Sequence, residues 1–348
     1  MPDAVRLKFQ PQPTQIFRGK VAMFDNVKFR IPFVSPYLKR ARDHWKWNLK
    51  SVVDPDDALR ERVDGKVVLL TGASSGIGAQ VAHRLADAGA TVLLVARSLD
   101  KLDALAREIG GHGGVAAVYA GNLAEMQDCD RICQQALADH GRVDILINNA
   151  GRSIRRSIKF SFDRFHDYER TMQLNYFGSI RMAMNLLPGM LKRGDGHIIN
   201  VSTMGVQANP ARFSAYLASK WALEGWSWVA ANEFAHMGVT VSTINYPLVR
   251  TPMIAPTKIY DHVPAMSADE AVQWMLDVLI TRNKRKVGPL GLFALGMYYA
   301  FPKTTESVIN AGYQAVFEEQ PIATSKVRKP PAKAGPGRSR ARKQVGED

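Results

Sequence analysis

A chain of 348 residues with 46% apolar content can bury a full core, as one large domain or two small ones. Its formal net charge of +14 sits at the ends: 13 Lys/Arg against 7 Asp/Glu precede Val63, 8 against 2 follow Gln320, and the middle holds 25 against 23. A near-neutral middle with basic flanks reads as an enzyme carrying basic tails rather than a nucleic-acid-binding domain, so no specific nucleic acid is expected.

In chain order, residues 1–62 lack steady periodicity. They carry Pro11, Pro13, Pro32, Pro36 and Pro55, with Trp45 and Trp47 in a basic stretch. They read as an N-terminal basic arm, and the mix of Arg, Lys, Gln and Pro at the start, with no apolar core segment, leads us to expect no signal peptide. From residue 63 short apolar runs alternate with helix patterns. Lys66–Thr71, Thr91–Ala96, Val115–Tyr119, Ile145–Asn148, Ile198–Ser202 and Thr240–Tyr246 read as buried strands. Helix-like stretches lie near 76–88, 100–109, 124–140, 163–192 and 214–237. This alternation predicts an α/β fold, a doubly wound parallel sheet covered on both faces, with ligands at its carboxyl edge. The catalytic domain is expected over 63–302, a helical extension over 303–322 and a disordered basic tail over 323–348. Cys129 and Cys133, four apart in a helix-like stretch, complete no metal site and read as semi-buried thiols in a reducing cytosol. A cytoplasmic protein without a metal is expected. The longest apolar run, Val287–Phe301, is too short to span a bilayer but long enough to rest on one.

The first strand runs into Thr71-Gly72-Ala73-Ser74-Ser75-Gly76-Ile77-Gly78, which opens a helix. Glycines there let the backbone turn sharply and approach a pyrophosphate, whose charge is held at the helix N-terminus. The second strand ends in Ala96-Arg97. An acid at its tip would bind the adenosine ribose, whereas an arginine accommodates a 2′-phosphate, so NADP(H) is the expected cofactor. Reading Arg97 as a solvated surface residue leaves the missing acid unexplained. Asn148-Asn149-Ala150-Gly151 ends the fourth strand, Asn175 follows, and the fifth strand ends in Ser202-Thr203. Tyr216 and Lys220, four apart, share one helix face. The Lys220 ammonium is expected to lower the Tyr216 pKa from about 10, fitting it for proton exchange with a substrate oxygen.

These motifs, in this order, resemble those of the classical short-chain dehydrogenase/reductase family over roughly residues 63–260. The resemblance implies a Rossmann sheet of order 3-2-1-4-5-6-7, Tyr216 as acid/base, Lys220 on the nicotinamide ribose and Asn175 in a relay. The family's catalytic serine, thirteen residues before the tyrosine, is here Thr203, with Ser202 as the fallback. Cofactor contacts carry over to Gly72, Ser74, Ser75, Gly76, Ile77, Gly78, Arg97, Asn149, Ala150, Gly151, Tyr216 and Lys220. The family's acidic adenine contact is Asn122 here, beside Leu123. Its loop after the sixth strand reads Tyr246-Pro-Leu-Val-Arg-Thr251, so contacts carry over only to Val249 and Thr251. Its glycine-rich C-terminal strand signature is missing.

Longer stretches resemble the bacterial long-chain fatty acyl-CoA reductases of this superfamily: Gly151-Arg-Ser-Ile-Arg-Arg156, Phe162 through Gly178, Pro210-Ala-Arg-Phe-Ser-Ala-Tyr216 and Pro247 through Tyr260. The resemblance implies NADPH-dependent reduction of long-chain acyl-CoA to fatty aldehyde. Arg152, Arg155 and Arg156 then have two readings, as holders of coenzyme A phosphates or as partners of Asp163, Asp167 or Glu169. Trp221 and Trp228, seven apart on one helix stripe, read as buried packing. In this family that burial takes the form of subunit contact, so a homodimer or homotetramer is expected. His166 and His197 read as structural. Val287–Phe301, beside Arg282, Lys284, Arg285 and Lys286, reads equally as a peripheral membrane contact and as a lid or subunit contact. Three function classes stand: an acyl-CoA or fatty-aldehyde reductase, an NADP-dependent dehydrogenase of lipid or steroid ketones and alcohols, and a non-catalytic NADP-binding scaffold.

Overall fold

A computed structural model describes residues 55–255, 260 and 263–315. Residues 1–54 of the expected arm, with Trp45 and Trp47, and the tail over 323–348 lie outside them. Seven strands form the sheet: β1 (Val67–Thr71), β2 (Thr91–Ala96), β3 (Val115–Ala120), β4 (Ile145–Asn148), β5 (Gly196–Thr203), β6 (Val239–Tyr246) and β7 (Arg285–Val287). Their order is β3-β2-β1-β4-β5-β6-β7 and every pair is parallel. All of β1 and β4 is buried, because strands covered on both faces need apolar side chains in both directions.

The helices are α1 (Pro55–Val63), α2 (Gly76–Asp87), α3 (Leu99–Gly111), α4 (Met126–His140), α5 (His166–Met172), α6 (Ser179–Arg193), α7 (Gly205–Ala208), α8 (Ser214–Glu233), α9 (Ala268–Thr281), α10 (Pro289–Ala300) and α11 (Pro302–Ala315). One face of the sheet packs against α4, α6 and α8 through Ile132, Met182, Leu186 and Ala230. Cys129 and Cys133 belong to that core, and burial pushes both thiols up to about 12. They are packing residues.

Four local features depart from the sequence reading. Helix α1 begins before the expected arm boundary: Leu59 and Val63 are buried, and Arg62 Nε donates to the Ile280 carbonyl at 3.1 Å. The stretch expected as one helix over 163–192 contains a π-helical turn at Gln173–Gly178, between α5 and α6. Gly178 lets that turn approach the chain closely, since a Cβ there would lie 2.2 Å from the Leu123 carbonyl oxygen. Lys284-Arg285-Lys286 is not merely a flank: Arg285 and Lys286 belong to the edge strand β7, paired with Thr243–Asn245 of β6. The apolar run that follows is split by Gly288 into the end of β7 and helix α10, which starts with Pro289. Among the described residues no helix is long and apolar enough to cross a membrane.

Candidate active site

The glycine turn between β1 and α2 is built for close approach. Gly72 and Gly76 have positive φ, +68° and +58°, which a side chain would strain. A Cβ on Gly78 would lie 2.2 Å from the Gly72 carbonyl oxygen, and one on Gly72 would lie 2.9 Å from Ala150 Cα. Ser75, ahead of α2, makes no side-chain cap, so the first amide N–H groups of the helix point outward unclaimed by it. Ser74 and Ile77 are half-buried in the same turn. The cradle therefore fits an anion at a helix N-terminus.

The Asn-Asn-Ala-Gly segment after β4 braces this turn. Thr71 Oγ1 accepts from the Asn149 and Ala150 amides, each at 3.0 Å, and Asn149 Nδ2 donates to the Thr71 and Gly72 carbonyls at 3.1 and 3.2 Å. Thr251 sits over the turn, its Cβ 3.6 Å from where a Gly76 side chain would begin, and Val249 is buried, bridged to Met266. Arg97 is exposed at the tip of β2. Beyond β3, Asn122 holds its loop: its Oδ1 accepts from Ala124 N at 3.3 Å and its amide donates to Asp128 at 2.7 Å. Leu123 is buried beside it.

At the carboxyl ends of β4 and β5 the remaining predicted groups converge. Asn175 lies in the π-helical turn, fully buried, a placement typical of functional sites. Its Oδ1 accepts from the Arg152 amide at 2.8 Å, and its Nδ2 donates to the Arg152 carbonyl and to Ser219 Oγ, both at 2.9 Å. A Cβ on Gly151 would lie 3.4 Å from Asn175 Oδ1 and 3.6 Å from Lys220 Nζ, so both line the same small space. Lys220 Nζ donates to the Val201 carbonyl at 2.8 Å. Burial pushes this ammonium down to about 8, against the attraction of Glu224.

Tyr216 shares a side-chain hydrogen bond with Thr203. Its pKa is not lowered as expected. Burial, reinforced by nearby Tyr260, outweighs the bond with Thr203 and pushes the phenol up to about 12, while the Lys220 amine is engaged with backbone. A phenol held protonated suits a proton donor. The structure also separates the two candidate hydroxyls. Thr203 Oγ1 accepts from Gly205 N at 3.1 Å and reaches Tyr216, whereas Ser202 is buried and donates to Glu224 Oε1 at 2.6 Å. The sequence reading missed Ser219, which ties Asn175 to the Tyr216 carbonyl at 2.6 Å, and buried Glu224, four residues after Lys220. The i, i+4 spacing was the available signal for Glu224.

The three arginines after β4 do not act as one cluster. Arg156 Nε donates to Asp167 at 3.2 Å and is mostly buried. Despite burial, hydrogen bonds from Arg164 and Arg170, helped by the charge of Arg164 and the nearby His166, hold the Asp167 carboxyl below its usual range. Arg156 therefore takes the structural reading. Arg152 is half-buried, and burial together with the nearby cations Arg170 and Arg97 lowers its pKa. Arg155 lies near Tyr260, against the tendency of burial to raise that phenol. Among the described residues neither Arg152 nor Arg155 forms an ion pair. His197 is buried, contacts Ser242 Oγ at 2.9 Å and is pushed by burial down to about 3, which makes it structural. His166 sits 3.3 Å from Asp167.

A glycine cradle at a helix N-terminus, beside a Tyr–Lys helix face and a buried Asn, defines a nicotinamide-dependent oxidoreductase of the doubly wound class. The family model described as short chain dehydrogenase matches residues 66–259, and the chain belongs to that family. A fatty acyl-CoA reductase of Acinetobacter baylyi is 50% identical over 255 residues, 73% of this chain and 86% of the relative. A fatty acyl-CoA reductase of Mycobacterium tuberculosis is 51% identical over 223 residues, 64% of this chain and 76% of the relative. Among solved structures, a metagenomic short-chain oxidoreductase in complex with NADP superposes with TM-score 0.55 at 30% identity, covering 64% of this chain and 93% of that one.

Proposed function

We propose that this chain reduces long-chain fatty acyl-CoA to fatty aldehyde with NADPH, with Tyr216 as general acid. The observation that carries the reading is the convergence of Tyr216, Thr203, Lys220 and Asn175 at the sheet's carboxyl edge, in a chain 50% identical to a fatty acyl-CoA reductase over 255 residues. The glycine cradle holds the dinucleotide, with Arg97 at the 2′-phosphate, Asn122 and Leu123 at the adenine and Val249 and Thr251 over the turn. NADPH, when bound, supplies the hydride. Thr203 orients the thioester oxygen and Tyr216 delivers a proton to it; as the C–S bond breaks, that hydroxyl proton returns to Tyr216 and the departing sulfur takes one from solvent, giving the aldehyde and the coenzyme A thiol. The deciding assay gives the purified protein NADPH and acyl-CoAs of several lengths, and follows both NADPH absorbance and free thiol. NADPH oxidation with a ketone or aldehyde but no thiol release from any acyl-CoA assigns the chain to lipid ketone and alcohol reduction instead. No turnover with any carbonyl leaves it an NADP-binding scaffold.

Coenzyme A needs a cation on the substrate side. Arg155, near Tyr260 and free of ion pairs among the described residues, meets that need better than Arg156. Arg155→Ala is expected to raise KM for acyl-CoA with little change in kcat, and to leave fatty-aldehyde reduction nearly untouched. Arg156→Ala instead uncovers the buried Asp167 and lowers thermal stability without selecting between substrates. Equal losses on both substrates in Arg155→Ala would move coenzyme A elsewhere.

Two surfaces extend the reading. Trp221 and Trp228 on α8 are 42% and 48% exposed, and Val229, Phe177 and Met184 are exposed with them. Their exposed faces pack on a second copy, giving a homodimer or homotetramer; light scattering that returns a monomer mass removes this assignment. On α10 and α11 and at Phe301 between them, Leu292, Phe293, Tyr299, Phe301 and Val308 are all more than half exposed, and 8 Lys/Arg against 2 Asp/Glu follow Gln320. An apolar face followed by a basic segment suits an anionic bilayer, where long acyl-CoAs partition. The protein is expected to float with anionic liposomes at low salt. Staying in the soluble fraction would show that the face serves as a lid or subunit contact.

A further inference from the structure

Glu224 is a charged residue with 1% exposure that the chemistry above does not use. A buried carboxylate persists only when its oxygens are matched by donors, and here three elements supply them. Ser202 Oγ on β5 donates to Oε1 at 2.6 Å, Asn245 Nδ2 on β6 donates to the same oxygen, and Arg285 on β7 donates to Oε2 at 2.5 Å. The Asn245 amide also donates to the Thr203 carbonyl at 3.3 Å. Lys220, one helical turn before Glu224, donates to the Val201 carbonyl at 2.8 Å. Three consecutive residues at the end of β5 are therefore held, each by a different group, and Glu224 anchors two of those holds. Arg285 is held in turn by stacking over the Trp228 ring, 4.1 Å from its centroid.

We infer that Glu224 is a positioning residue for the reacting groups: its carboxylate, through Ser202 and Asn245, fixes the tip of β5 where the Thr203 hydroxyl meets Tyr216. The inference rests on the reading of Tyr216 and Thr203 given above, though not on which carbonyl compound is reduced. Ser202 thereby has a definite task. It is not a spare catalytic hydroxyl but the bond through which Glu224 acts on the next residue.

The test compares wild type, Ser202→Ala, Glu224→Gln, the double variant and Tyr216→Phe, with whichever acyl-CoA or aldehyde the protein reduces. Turnover is expressed per NADPH-binding site at a temperature where circular dichroism shows each variant folded. Ser202→Ala is expected to lower kcat about tenfold, with KM and the NADPH Kd within about twofold, since small displacements of reacting groups cost rate rather than binding. Glu224→Gln keeps a single acceptor oxygen, which Arg285 claims, leaving an amide N–H facing Asn245 and Ser202 where the carboxylate accepted from both, so it falls further. The double variant falls no lower than Glu224→Gln alone, because both changes cut the same link. Wild-type kcat in Ser202→Ala, or losses that multiply in the double variant, would overturn the inference. If Glu224→Gln does not fold, the kcat and KM of Ser202→Ala decide. A Tyr216→Phe variant as fast as wild type brings down the reading of the site itself. A slow Tyr216→Phe beside an unimpaired Ser202→Ala brings down this inference alone.

Discussion

Tyr216→Phe is expected to leave NADPH binding nearly intact while turnover falls by roughly 10² or more, the scale of general acid catalysis. The substitution removes one oxygen and keeps the ring, so the contact with Phe213, at 6.4 Å between ring centroids, and the packing of α8 are preserved. What disappears is the proton donor and its hydrogen bond with Thr203. Burial holds that phenol up to about 12, so in wild type it keeps its proton throughout the neutral range. Reduction should therefore show no loss from ionisation of Tyr216 at any pH below about 10. Stopped-flow measurement of the NADPH signal separates binding from the chemical step. Substantial residual turnover in Tyr216→Phe would mean that another group delivers the proton.

The second large effect concerns the choice of cofactor. Wild type should bind NADPH more tightly than NADH by roughly 1.5–3 kcal/mol, the range for a hydrogen bond to a charged group. Arg97→Ala should remove most of that preference while affecting NADH little. The structural grounds are the tip of β2, where Ala96 occupies the slot an acid would need and exposed Arg97 follows. Arg152 lies close enough to Arg97 for the two cations to repel, which makes the region between them strongly favourable for an anion. Titrating both cofactors against both proteins by fluorescence gives the four affinities required. Equal affinity of wild type for NADPH and NADH would remove Arg97 from the site.

Much of this architecture was legible before any coordinate. Buried strands announce themselves as apolar runs of four to eight residues, and six of the seven were read that way. Strand β7 was not, because Arg285-Lys286-Val287 is a short edge strand with a charged sequence, and only its pairing with β6 makes it one. The glycine turn was legible for a steric reason: positive φ and close approach admit few other residues. The π-helical turn at Asn175 was invisible, since it depends on how closely Gly178 can approach the loop after β3.

The sequence by itself determined which residues could carry the chemistry, because spacing along one helix or strand is a property of the local backbone. Tyr216 and Lys220 share a helix face wherever the helix lies. Only the tertiary structure decided how charges and hydroxyls are partnered. It gave Arg156 to Asp167, eleven residues away; Ser202 to Glu224, twenty-two away; and Arg285 to Glu224, sixty-one away. It left Thr203 for Tyr216, and it reversed the expected shift of the phenol. Desolvation and pairing depend on which elements meet in space, and no periodicity along the chain records that.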